Sequence, residues 1–145
     1  MIYPQSFAKD VAKNIDAIGK YGCLAMCYLY CVGIQGNAAD YITILNNAIN
    51  NHIIDSDCFI PSASKFLKWV TGKDYEVTKK QFSDLSKIKE PAPVRYTYNG
   101  AAHWVVVQNG KVVFNSLINS QCVNKGKPAN DKNDPNTRVI TLARK

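Results

Sequence analysis

The chain has 145 residues, 46% of them hydrophobic and 20% charged, which is enough to bury one core without disulfide or metal staples and too apolar for a disordered chain. Its formal charge of +7, from 18 Lys and Arg against 11 Asp and Glu, favours encounter with polyanions. The basic residues are scattered rather than blocked, however, so a nucleic-acid partner is not favoured.

In chain order, Phe7, Val11, Ile15 and Ile18 recur at helical spacing and predict a helix over 6–18, broken by Gly19 and Gly22. Residues 23–32 are apolar almost all round, as in a central buried helix ended by Gly33 and Gly36. A second face of Tyr41, Ile44, Leu45 and Ala48 predicts a helix from Asp40 to Asn51. A loop follows, then a helix capped by Ser62 or Ser64 and stopped by Gly72.

Beyond residue 73 the texture becomes β-rich. DYEVTKK, APVRYTY, HWVVVQ, KVVFNSL and TRVITLAR are strand candidates. Asn109-Gly110 is a strong two-residue hairpin signal. NSQCVNKGKPANDKNDPN is expected to be a polar loop. Helices then strands predict a single α+β domain over 1–145, its N-terminal helices packed on a C-terminal antiparallel sheet.

There are five cysteines, an odd number that argues against a closed disulfide framework and for a reducing compartment. The N-terminus has no basic start followed by an apolar run, and no apolar stretch reaches the roughly 18 residues of a membrane span. The expectation is a cytoplasmic protein in its producing cell, with export only by another route.

Cys23 is the candidate nucleophile. It follows Gly22 and opens the apolar helix, where the helix dipole and unpaired N–H groups favour a thiolate. Gly22 is expected to give a tight turn and leave room for substrate. Of two histidines, His52 sits in a polar helix end, whereas His103 starts a strand behind Gly100, Ala101 and Ala102. His103 is therefore the candidate base, and Asn115 the group that orients its ring. With Asn109-Gly110 as the turn, Gln108 faces Lys111 and Trp104 faces Asn115. That leaves His103 one place off, so aligning it with Asn115 needs a bulge or strong twist.

Cys27 and Cys31 are read as core, since Cys58 and Cys122 complete no ligand-like pattern. Tyr21, Tyr28, Tyr30, Tyr96 and Tyr98 lack interleaved Arg and are read as core or cleft lining rather than a base-stacking platform. Asp131 and Asp134 lack the glycine and distal glutamate of a calcium loop. No metal and no cofactor is expected.

YGCLAMCYLY, followed downstream by AAHWVVVQNGKVVFNSL, resembles the papain-like cysteine peptidases and is most similar to their compact bacterial C39-like branch. IIDSDCFIPSASKFLKWVTG also resembles the helix after the first helical pair of those domains, and the likeness covers roughly residues 18–117. It implies a papain-like fold, a bacterial or phage source, and a thiol peptidase in which Cys23, His103 and Asn115 match the three motif positions. The partner is then a peptide or protein substrate. The alternatives are a peptidoglycan amidase or endopeptidase of the NlpC/P60-like kind, an acyl-transferring relative, or an inactive papain-like module that binds peptide or protein. One position departs from the pattern. Six residues before the cysteine, where that family carries an oxyanion-stabilising Gln, this chain has Ala17. Gln5, Asn14, Lys20 and Tyr21 are the candidate replacements. Loss of one such donor costs about 10²–10³ in turnover.

Overall fold

The computed structural model describes residues 1–34, 36–129, 131 and 133–143. It is an α+β arrangement. Helices α1 (Pro4–Tyr21), α2 (Cys23–Cys31), α3 (Ala38–Asn50) and α4 (Ala63–Thr71) precede strand β1 (Tyr75–Lys80) and a 3-10 turn (Leu85–Lys87). Strands β2 (Ala92–Tyr98), β3 (Ala101–Gln108) and β4 (Lys111–Phe114) follow, then α5 (Gln121–Asn124), β5 (Lys127–Pro128) and β6 (Thr137–Leu142). All strand pairs are antiparallel, in the order β1-β6-β2-β3-β4, with the short β5 also pairing with β2. Among the described residues no helix is long and apolar enough to cross a membrane.

Several boundaries differ from the sequence expectation. α1 starts at Pro4, whose fixed φ suits a first helical turn, and runs through Gly19 to Tyr21. A single glycine costs a helix only about 1 kcal/mol, so Gly19 does not end it. Gly22 does, at φ −80° and ψ 0°, and a larger residue does not fit there: a Cβ would come within 2.6 Å of the Ile18 carbonyl oxygen. α3 begins two residues early because Asn37 and Asp40 form a reciprocal capping box. Ser62, not Ser64, caps α4, and Gly72 closes it in the left-handed region at φ 76°. The expected polar loop after β4 contains α5 and β5. Its Asn130 and Lys132, and Arg144 of the last predicted strand, lie outside the described residues.

The sheet separates two apolar clusters. On one face Leu29, Leu45, Phe66 and Leu67 of the helices pack with Tyr75, Val77, Phe114 and Ile140 of the sheet. On the other, Val94, Val105 and Val107 pack with Ile88, Leu85 and Val123 from the 3-10 turn and α5. α2 lies against β3 and β2, which sets its first turn beside the start of β3.

Asp134 ties three strands. Its carboxylate accepts from Arg95 of β2 at 2.7 Å and Arg138 of β6 at 2.8 Å, and Lys79 of β1 lies at 3.6 Å. It is thus an ion-pair hub, and no metal-ligand cluster occurs among the described residues. Burial alone would raise the Asp134 carboxyl, but Arg138, Arg95 and Lys79 outweigh it and hold it below the usual range. Asp134→Ala is expected to cost about 2 kcal/mol. That is less than the 3–5 kcal/mol for breaking a fully buried pair, because the carboxylate is a third exposed. A folded pKa below the unfolded value of about 3.9 makes this contribution complete above that pH and progressively lost as pH falls through the folded value. The difference in melting temperature between wild type and variant should therefore be constant near neutrality and close below about pH 4.

Candidate active site

α2 opens at Cys23, directly after Gly22, whose lack of a side chain leaves the first turn without a side-chain cap. The N–H groups of that turn have no carbonyl ahead of them in the helix and favour an anion. Cys23 is half-buried, and His103 stands against it at the start of β3. Burial pushes the Cys23 thiol up. Hydrogen bonding to His103, the backbone N–H groups of Trp104 and Leu24, and the His103 charge together outweigh that and lower it. Burial likewise pulls the His103 imidazole down, and Cys23 and Asn115 outweigh it and raise it. Cys27, Cys31 and Cys58 behave oppositely. Burial raises Cys27 well above the thiol range, Cys31 to about 12 and Cys58 to about 11.

His103 Nε2 lies 2.8 Å from Asn115 Oδ1. The same Asn115 atom accepts from the Leu117 backbone N–H at 3.1 Å. A backbone N–H can only donate, so that atom is the amide oxygen and His103 Nε2 carries the proton. Nδ1 is then the nitrogen turned to Cys23, and it holds the free lone pair when the ring is neutral. Asn115 thus fixes both the tautomer and the ring plane.

The alignment of His103 with Asn115 comes from a bulge. Gln108 pairs with Lys111 and Val107 with Val112, as a simple two-residue turn requires, but Val106 pairs with Phe114. Val113 is the extra residue. Carried one residue further, the shifted register sets Asn115 level with Val105 instead of Trp104. Because side chains alternate, this one-residue shift moves Asn115 from Trp104's face to the face shared by Val105 and His103. Asn109 and Gly110 both have positive φ, 53° and 79°, as a type I′ turn requires. Asn99 and Gly100, at 49° and 80°, make a second such turn just before His103. That dipeptide was a readable hairpin signal, and the sequence reading passed over it.

The oxyanion candidates separate. Gln5 is exposed and lies about 24 Å up the α1 axis from the site. Asn14 spends its amide on Asn46 at 2.9 Å and Asn50 at 3.0 Å, away from Cys23. Lys20 and Tyr21 do border Cys23. Lys20 holds Asp16 at 3.1 Å in an exposed pair, which costs little to break. The Trp104 N–H is a thiolate donor that sequence could not have revealed, since backbone groups leave no residue-type signal.

Two arms of a groove meet at Cys23, Lys20 and Ala102. One, about 500 Å³, is walled by His103, Ser116 and α5. The other, about 710 Å³, is walled by Trp104, Leu24 and the Phe59–Ser64 segment. Tyr28 lies in this wall and Tyr98 in the first, while Tyr30 stacks on Phe114 with ring centroids 5.0 Å apart. His52 is exposed and lines neither arm, sitting in a separate concavity with Asp10 and Asp55. No family model, curated protein or solved structure matches the chain.

Proposed function

We propose that the protein is a papain-like thiol hydrolase that cleaves an amide bond of a peptide through Cys23, His103 and Asn115. The observation that carries this reading is the Cys23–His103–Asn115 chain: one thiol lowered while its neighbours are raised, beside an imidazole raised and held in one tautomer. Structural cysteines are inert, and a lowered thiol paired with an oriented imidazole is the arrangement of a nucleophile.

In the reaction, Cys23 Sγ adds to the carbonyl carbon. The oxyanion is met by the Cys23 N–H and a second donor, the role we assign to Lys20 because it lines the groove with Cys23. As the C–N bond breaks, His103 Nδ1–H gives its proton to the amine, leaving a thioester on Cys23. Water, giving a proton to Nδ1, attacks the thioester and releases the acid, restoring thiolate and imidazolium. A groove with space on both sides of Cys23 suits a chain that continues past the scissile bond in both directions.

A peptide library digested by wild type and Cys23→Ala, with products mapped by mass spectrometry, tests this reading. Defined cuts are expected from wild type and none from the variant. Lys20→Ala should lower turnover by about 10²-fold with little change in KM, as loss of one oxyanion donor does. Equal cleavage by Cys23→Ala would end the reading. Release of fragments from intact sacculi, with no peptide cut, would move it to the wall-hydrolase alternative.

A further inference from the structure

The geometry points to an apolar trough beside Asn115 as the site that receives a large hydrophobic side chain of the substrate, on the amine side of the scissile bond. This rests on the hydrolase reading and names a feature of its substrate. The trough encloses about 570 Å³ between α1, α2, α3 and the end of β4. Ile15, Met26, Tyr30, Tyr41, Ile42 and Phe114 line it. Phe114 stacks on Tyr30 and meets Tyr41 edge-on at 5.7 Å, so the floor is an interlocked aromatic cluster. The Tyr41 hydroxyl is already spent on the Ile34 carbonyl at 2.9 Å, which leaves the ring rather than the polar tip for an occupant.

The trough continues the groove. Ile18, Gly19, Met26, Ser116 and Leu117 border both it and the arm walled by His103. The leaving amine takes its proton from His103, so the amine portion of the substrate occupies the arm that His103 lines. The opposite arm is bordered by Ala102 and Trp104 and not by the His103 ring. The amine portion therefore runs toward the trough. A concavity of this size matches sites for small apolar groups, roughly 300–1,000 Å³. A second copy of the chain is a poorer occupant. A two-fold contact opposes each patch to itself, and two concavities leave a void where about 800 Å² of complementary face per partner is needed.

Asn115 forms part of the trough wall and is exposed in the free chain. An apolar group seated there would exclude water from the His103–Asn115 hydrogen bond and strengthen it. Binding of the substrate's apolar group would in this way help to hold the catalytic ring.

The test is an NMR titration of the Cys23→Ala chain with two peptide amides bearing free amino termini, Gly-Ala-Phe-Leu-amide and Gly-Ala-Ser-Asn-amide. The apolar peptide should bind at least tenfold tighter and shift the Ile42 methyl resonances while leaving Val139 unmoved. Ile42→Asp and Leu117→Asp should each remove at least tenfold of that affinity. Leu117 is half exposed, so its variant keeps the fold even if Ile42→Asp does not. Equal binding of the two peptides, no binding of either, or undiminished binding to Leu117→Asp overturns the proposal. Cleavage by wild type without an apolar preference would remove the trough and leave the hydrolase. Tight apolar binding by a wild type that cleaves nothing would leave the trough and remove the hydrolase.

Discussion

Iodoacetamide is expected to alkylate Cys23 well below the ordinary thiol pKa of about 8.5, and His103→Ala is expected to abolish that reactivity. Alkylation rate follows the thiolate fraction, which changes tenfold per pH unit on the acid side of the pKa. The variant loses both the hydrogen bond and the charge that lower Cys23, while the burial that raises it stays. At pH 6.5 the rate should therefore fall at least tenfold. Mapping by mass spectrometry should find Cys23 modified first, because Cys27, Cys58 and Cys122 are buried and Cys31 is raised to about 12. The pH profile of peptide cleavage should rise as Cys23 ionises and fall as His103 loses its proton. Its plateau then lies between a lowered thiol and a raised imidazole. Uniform labelling of several cysteines, or a Cys23 that titrates near 8.5 with and without His103, would sink the nucleophile.

Inserting an alanine between Phe114 and Asn115 should disable the site while sparing the fold, whereas deleting Val113 should do little to either. Val113 is the extra residue of the bulge and is 40% exposed. Without it Val112 still pairs with Val107 and Phe114 with Val106, now with no bulge, so Phe114 keeps Tyr30 and Tyr41 and Asn115 keeps the face of His103. The insertion leaves Phe114 in place but carries Asn115 one residue on, to Trp104's face, and His103 loses its acceptor. A lower His103 pKa by NMR should show that loss, since Asn115 is one of the groups that raises it. Thermal unfolding should stay near wild type for both variants. An insertion variant with an unchanged His103 titration, or a deletion variant that lowers it, would mean that something other than strand register places Asn115.

The bulge in β4 marks the boundary of what the sequence made readable. The Asn109-Gly110 turn, the helix opening at Cys23, the Ser62 cap and the Gly72 stop are local events, each governed by backbone preferences of one or two residues. They were legible for that reason, as was the order of helices before strands. Asn99-Gly100 was equally legible and was missed. The bulge was not legible. Val112, Val113 and Phe114 are all apolar, so no alternation announces which of them faces the helices.

What the sequence determined by itself was the kind of chemistry available: one cysteine at a helix start, one histidine at a strand start, and a polar residue across a hairpin. The tertiary structure decided whether they meet. The aromatic cluster of Tyr30 and Tyr41 draws Phe114 to the helix side, and that packing forces the register shift that turns Asn115 to His103. Long-range packing also spent Asn14 on α3 and set Asp134 among Arg95, Arg138 and Lys79. These outcomes depend on contacts between residues tens of positions apart, where the energy of a buried ring or ion pair outweighs any local preference.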